Sequence, residues 1–383
     1  MEHIYLDHAA TTPVHPQVLK RMCEVEKETF GNPSSVHAFG RKARQLVDSA
    51  RSHIAKRMGA NEKEIIFTSG GTEADNLALV GVARANRDKG NHIIVTAQEH
   101  HAVLHTAEAL EKEGFRVTYV PVDRQGKIAV EDVMDALTSE TILVSVMYVN
   151  NETGIIQPIQ EIAEQMQHHQ AYLHTDAVQA FGLLAIDVRE LGVDLLTVSA
   201  HKINGPKGIG LLYTNKDVQL QSLQYGGEQE RKRRAGTEDV ARIVGFEKAV
   251  ELAVEHRIER VEQYQALKQQ FINGLQEQDI AFQINGDEQN TVASIVNISF
   301  PNTAVEALLT NLDLDGVAAS SGSACTAGSV EPSHVLTAMY GSGDEHTTNS
   351  VRFSFGLANT PENIQTATKR VAKSVRRLTQ SIR

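Results

Sequence analysis

A chain of 383 residues can bury a large core and divide into two or three domains. Hydrophobic residues at 41% and charged residues at 22%, with no long low-complexity run, indicate an ordered globular protein and argue against disorder. Counting 37 Lys and Arg against 48 Asp and Glu gives a net charge of -11, which disfavours non-specific binding to nucleic acid or to an anionic membrane. The stretch Met1 to Asp7 has no basic region followed by an apolar one, and no segment approaches the roughly 18 apolar residues of a membrane span. A cytoplasmic protein is expected, and its 2 cysteines, far apart, fit a reducing compartment.

From about residue 60 to 215, short β-branched runs alternate with helix-like segments: Ile65 to Thr68, Ile93 to Thr96, Thr141 to Tyr148, Leu195 to Ser199 and Ile209 to Tyr213. Several runs are apolar throughout, as expected of strands covered on both faces, and the segments between them are long enough for crossover helices. The pattern predicts an α/β domain with a mostly parallel sheet. After Gly245, the residues Val250, Val254, Ile258, Val261, Tyr264, Leu267, Phe271 and Leu275 recur in steps of three and four, which predicts one long amphipathic helix. Strands are predicted at Val292 to Phe300 and Val351 to Phe355, with helices at Val305 to Leu312 and after Pro361. A large domain over 13–249 and a smaller α+β domain formed by 1–12 with 250–383 follow, with no internal repeat.

Cys325 lies among Ser320, Ser321, Gly322, Ser323, Ala324, Thr326, Ala327, Gly328 and Ser329, small residues that build no packed element. With only Cys23 as a second cysteine, it belongs to no disulfide framework or close metal cluster. It is either a small hydrophobe under a turn or a nucleophile whose reactivity follows its thiolate fraction.

Lys202 follows the apolar run Leu195 to Val198 and precedes Gly205-Pro206-Lys207-Gly208, a strand end where ligands gather in α/β sheets. A lysine there can form a Schiff base with an aldehyde, and pyridoxal phosphate needs one together with an acid facing its ring nitrogen. Asp176, where a strand is expected to give way to a helix, is that candidate acid. Each residue alone is equally well read as a surface lysine or an N-cap. The turn Ser69-Gly70-Gly71-Thr72 opens a helix and offers N–H groups and a hydroxyl to a phosphate, although such a turn often serves only as a cap. His100, in Glu99-His100-His101, could lie over a flat ring. The two histidines lack the spacing of a metal set, so no metal is expected.

These segments together resemble the pyridoxal-phosphate-dependent cysteine desulfurases of the NifS and IscS type, in the fold-type I aminotransferase superfamily. The resemblance runs nearly end to end through "YLDHAATT", "FGNPSSVHAFGR", "EIIFTSGGTEADNLA", "EHHAVL", "TILVSVMYVNNETG", "HTDAVQA", "SAHKINGPKGIG", "GGEQERKRRAGTED", "SSGSACTAGSVEPSHVL" and "VRFSFG". It implies a fold-type I transferase in which Lys202 carries the cofactor and acts as base, Asp176 pairs with the pyridine nitrogen, and His100 stacks on the ring. Asn151 and Gln179 would bind the phenolic oxygen, Asn151 also facing substrate. Gly71, Thr72, Ser199 and His201 would bind the phosphate, with Thr237 supplied by the second subunit of a homodimer. Arg352 would bind the carboxylate of L-cysteine, and Cys325 would take its sulfur as a persulfide, leaving alanine.

The "SSGSACTAGS" context resembles the mobile-loop group, in which Cys325 would also be available as an iron–sulfur ligand during cluster transfer. The persulfide would go to a sulfur-acceptor protein, a tRNA thiolase or an iron–sulfur scaffold, without direct nucleic-acid binding. A selenocysteine lyase or aminotransferase of the same fold, or a non-catalytic sulfur-relay scaffold, are the alternatives. His8 stands where many relatives have Asn. The run Arg231 to Arg234 reads as a solvated face balanced by Glu228, Glu230 and Glu238, or as a dock for an acidic acceptor.

Overall fold

The computed structural model describes residues 3–322 and 332–380. The expectation for Cys325 therefore lies outside the described residues. After β1 (Ile4–Tyr5) come seven strands that form one sheet: β2 (Ile65–Thr68), β3 (His92–Thr96), β4 (Arg116–Val120), β5 (Thr141–Ser145), β6 (Tyr172–Asp176), β7 (Leu195–Ser199) and β8 (Gly210–Thr214). Their spatial order is β2-β8-β7-β6-β5-β3-β4. The pairs from β7 to β4 are all parallel, and β8 runs antiparallel to both its neighbours. Every residue of β3, β5, β7 and β8 is buried, which is why those runs are apolar without alternation. The expected mostly parallel α/β sheet is present.

The antiparallel β9 (Gln283–Ile284), β10 (Ile295–Ser299) and β12 (Ser350–Ser354) form a second sheet, while β11 (Val317–Ala318) pairs with β1. A separate apolar core lies against them. Ile4 and Leu6 enter it beside Phe271, Phe300, Phe353 and Ile364. The long helix expected across Val250 to Leu275 is instead two. One spans Val240–Glu255 and the next Arg257–Glu277, with the break at His256 (φ -101°, ψ 17°). The first buries its apolar face in the large core and the second in the small one, and Ile258 just past the break is 70% exposed. A periodicity of three and four persists across such a break because both helices are amphipathic.

The segment Arg231 to Arg234 differs from a balanced solvated face. Lys232 does pair with Glu228 at 3.0 Å on the surface. Arg234, however, forks onto Glu73 (2.7 and 3.2 Å), and Glu238 is taken by Arg44 (2.7 Å). Glu230 is buried and holds Arg51 through two bonds of 2.6 and 2.7 Å, also accepting the Phe67 N–H at 3.0 Å. This pair pins three successive residues, Glu230, Arg231 and Lys232, with φ of 48°, 58° and 67° in the left-handed region that side chains disfavour. Arg51→Met would leave Glu230 charged and unpaired inside the protein. We expect it to lose about 3–5 kcal/mol in a denaturant melt, whereas a loss within error of zero would mean that the pair contributes nothing.

Candidate active site

All parallel strands of the large sheet present their C-terminal ends on one side, where a cavity of about 210 Å³ opens. Gly71, Thr72, His100, Asn151, Asp176, Gln179, Ser199, His201, Lys202 and Arg352, ten of the residues singled out in the sequence, all line it. Thr237 does not. It is exposed, away from this chain's cavity.

Lys202 closes a short 3-10 turn directly after β7, and its Nζ donates to the carbonyls of Ala9 (2.5 Å) and Ala10 (2.9 Å). Asp176 ends β6. The chain then enters a turn rather than the expected helix, and the Asp176 carboxylate accepts the Val178 N–H at 2.8 Å. Burial raises its pKa to about 6, against the opposing pull of that N–H and of Lys202. Asp75, one helical turn beyond Gly71, also lines the cavity, is buried, and has an Oδ1 with no hydrogen-bond partner. Burial and then the charge of Asp176 drive its pKa well up. The sequence reading missed Asp75, although its spacing from Gly71 along one helix face was a usable signal. Behind these carboxylates His174 bonds Ser145 Oγ (2.8 Å) and Thr197 Oγ1 (3.1 Å), and burial lowers its pKa to about 3.

His100 caps the helix His101–Lys112, its Nδ1 accepting the Ala102 N–H at 3.1 Å. Burial, then the charge of Lys202, lowers its pKa to about 4, so the ring is neutral and its proton resides on Nε2. The helix Gly71–Ala85 starts at the cavity wall, and a Cβ on Gly71 would sit 3.0 Å from Val178 Cγ2. The small residue thus keeps the helix N-terminus open to the cavity. His201 bonds Thr11 Oγ1 at 3.1 Å. Burial, then Lys202 and Lys207, lowers its pKa to about 4.

Arg352 is 1% exposed, far from the surface charge that an isolated arginine suggests. It donates to the Asn151 carbonyl (2.8 Å) and to Asp7 Oδ1 (2.9 Å), while its Nε has no partner. The other carboxylate oxygen of Asp7 accepts from Ser320 Oγ at 2.8 Å. The sequence reading found Arg352 but not Asp7, which orients it.

The donor set fits pyridoxal phosphate. A lysine amine and a pair of buried acidic side chains, Asp176 and Asp75, line one cavity, a set suited to a cationic ring nitrogen. A helix N-terminus faces the same space, and the buried Asn151 Oδ1 has no protein partner. Such a sheet and site define a fold-type I α/β enzyme. The family model described as aminotransferase class-V matches residues 4–366. A Bacillus subtilis (strain 168) protein assigned as IscS 1 of the cysteine desulfurases is 58% identical over 379 residues, 99% of this chain and 100% of the relative. The cysteine desulfurase IscS of Clostridium botulinum (strain Kyoto / Type A2) is 49% identical over 95% of this chain and 92% of its own. A solved NifS-like protein superposes with a TM-score of 0.91 at 34% identity, over 97% of this chain and 98% of that one. The chain belongs to the class-V aminotransferase family, among its NifS/IscS-type cysteine desulfurases.

Proposed function

We infer that this chain is a pyridoxal-phosphate-dependent cysteine desulfurase that converts L-cysteine to L-alanine and takes the sulfur onto Cys325 as a persulfide. What carries the reading is the convergence of Lys202, Asp176, His100 and Arg352 on one cavity, in a chain whose full-length relatives are named for that activity.

Bound pyridoxal phosphate supplies the electron sink that lets the substrate's α-proton leave. Lys202 would hold the cofactor through its amine and, when free, would serve as the base for that proton. Asp176, on the cavity wall, would pair with the ring nitrogen. A cation there would draw its raised pKa back down, so that cofactor binding and ionisation of Asp176 favour each other. His100 presents a neutral ring for stacking and a proton on Nε2. Asn151 and Gln179 bring amides to the phenolic oxygen, the Gln179 amide being steadied by its 2.9 Å bond to the Ala9 carbonyl. Gly71, Thr72, Ser199 and His201, on the wall of the same cavity, would hold the phosphate. Arg352, braced by Asp7, lines the same cavity and would meet the substrate carboxylate.

The exposure of Thr237 supports a homodimer in which it completes the partner subunit's cup. The two separate apolar cores support a division into 13–249 and 1–12 with 250–383. The persulfide passes to a sulfur-acceptor protein, a tRNA thiolase or an iron–sulfur scaffold. Among the described residues no helix is long and apolar enough to cross a membrane, which agrees with a cytoplasmic enzyme.

The purified protein given L-cysteine and dithiothreitol is expected to release alanine and sulfide in equal amounts. Pyruvate in place of alanine would assign it to β-elimination, and amino-group transfer to an added 2-oxo acid would make it a transaminase. Either outcome would overturn the reading.

A further inference from the structure

A second cavity, of about 40 Å³ against about 210 Å³ for the first, shares Lys202, Gln179, Val178 and Ala9 with it. Its walls come from both cores: Phe181 from the large one, and Tyr264 and Phe355 from the small one. Two cationic side chains, Lys202 and Arg260, line it, and no aspartate or glutamate does.

Lys202 donates its Nζ to two carbonyls, whereas the Arg260 side chain makes no hydrogen bond among the described residues and only its terminal nitrogens reach accessible space. It is 7% exposed, its Nε lacks any hydrogen-bond partner, and it forms no ion pair with a carboxylate among the described residues. A guanidinium is always charged, and burying one without a counter-charge is among the least favourable arrangements a fold can keep. His8, at 5% exposure, lines the same cavity, and neither ring nitrogen completes a hydrogen bond, although the Tyr5 backbone and the Asn359 side chain lie close to it. Burial lowers its pKa to about 4, against the charge of Asp7 and the pull of the Tyr5 backbone and the Asn359 side chain, so the ring is neutral and carries one N–H. The space exceeds the roughly 10–15 Å³ that a single water needs, yet it is about a fifth of the cavity that fits the cofactor.

We propose that this second cavity binds a small monovalent inorganic anion, of the chloride class, held by Arg260 and by the N–H of His8. The anion supplies the counter-charge that Arg260 lacks and ties the helix Arg257–Glu277 to the N-terminal segment at His8. The proposal stands on these residues alone and is independent of the desulfurase reading.

The test is a thermal melt of the cofactor-loaded protein in sodium gluconate, with chloride replacing gluconate at constant ionic strength. A saturable rise of about 3 °C is expected at chloride about 100-fold above its dissociation constant. Arg260→Gln should abolish the response, and His8→Asn should weaken chloride binding about tenfold. Bromide soaked into crystals of the wild-type protein should give an anomalous peak beside Arg260, which decides the matter even if Arg260→Gln fails to fold. Water alone in the cavity of the bromide-soaked crystal, equal melting in chloride and gluconate, or an undiminished chloride response in Arg260→Gln would each overturn the proposal.

Discussion

Lys202→Ala is expected to abolish alanine formation from L-cysteine while leaving the protein folded. The side chain stands just after β7 on the cavity wall, where its Nζ donates to the Ala9 and Ala10 carbonyls. Lys202 belongs to neither apolar core, so its truncation acts on the cavity wall rather than on the packing of the fold. Two chemical functions go at once, the covalent hold on the cofactor and the base for the α-proton. A positioned base alone is worth about 10²–10⁴ in rate, so the combined loss should reach at least about 10⁴-fold. The visible absorbance that reports the lysine-bound cofactor should vanish with it. A Lys202→Ala protein that stays yellow, and whose colour borohydride fixes to the chain, would show that another amine holds the cofactor. A circular-dichroism melt close to wild type separates this chemical loss from misfolding.

The parts of this site that could be read from sequence are those set by strand ends. Lys202, His100 and Gly71 each follow a β-branched or apolar run and Asp176 ends an expected strand, and a mostly parallel sheet gathers such positions at one edge without any knowledge of pairing. Contacts between distant segments carry no such mark. Asp7 and Arg352 are 345 positions apart, and only the folding of the N-terminal segment onto β12 makes them partners. Strand β4 escaped notice because it is the edge of the sheet, with Arg116 and Tyr119 exposed, so its sequence is neither apolar throughout nor cleanly alternating. The break at His256 was hidden for the opposite reason, since two helices facing two cores continue one apolar rhythm. Glu230 looked like a surface charge by residue type, and burial with Arg51 is a property of the fold alone.

Cys325→Ser should cut alanine formation by on the order of 10²-fold or more, the usual worth of one positioned catalytic group, and should leave no persulfide on the protein. The step it removes is a displacement at sulfur. The Cys325 sulfur bonds to the substrate sulfur, and the substrate Cβ–S bond breaks with its electron pair on carbon. That carbon takes up a proton to become the methyl group of alanine. A thiolate performs this attack because it is polarizable and present in useful fraction near neutral pH, whereas a serine hydroxyl is neither. Cofactor absorbance should persist in Cys325→Ser, since Lys202 is intact, and this separates it from the lysine variant. Cys23, an exposed free thiol on the helix Pro16–Glu28, supplies the control: Cys23→Ser should keep both turnover and persulfide. Alkylation of the cysteine-treated enzyme followed by peptide mass spectrometry locates the extra sulfur. A Cys325→Ser enzyme that forms alanine at the wild-type rate, or a persulfide found on Cys23 instead, would remove Cys325 from the reaction.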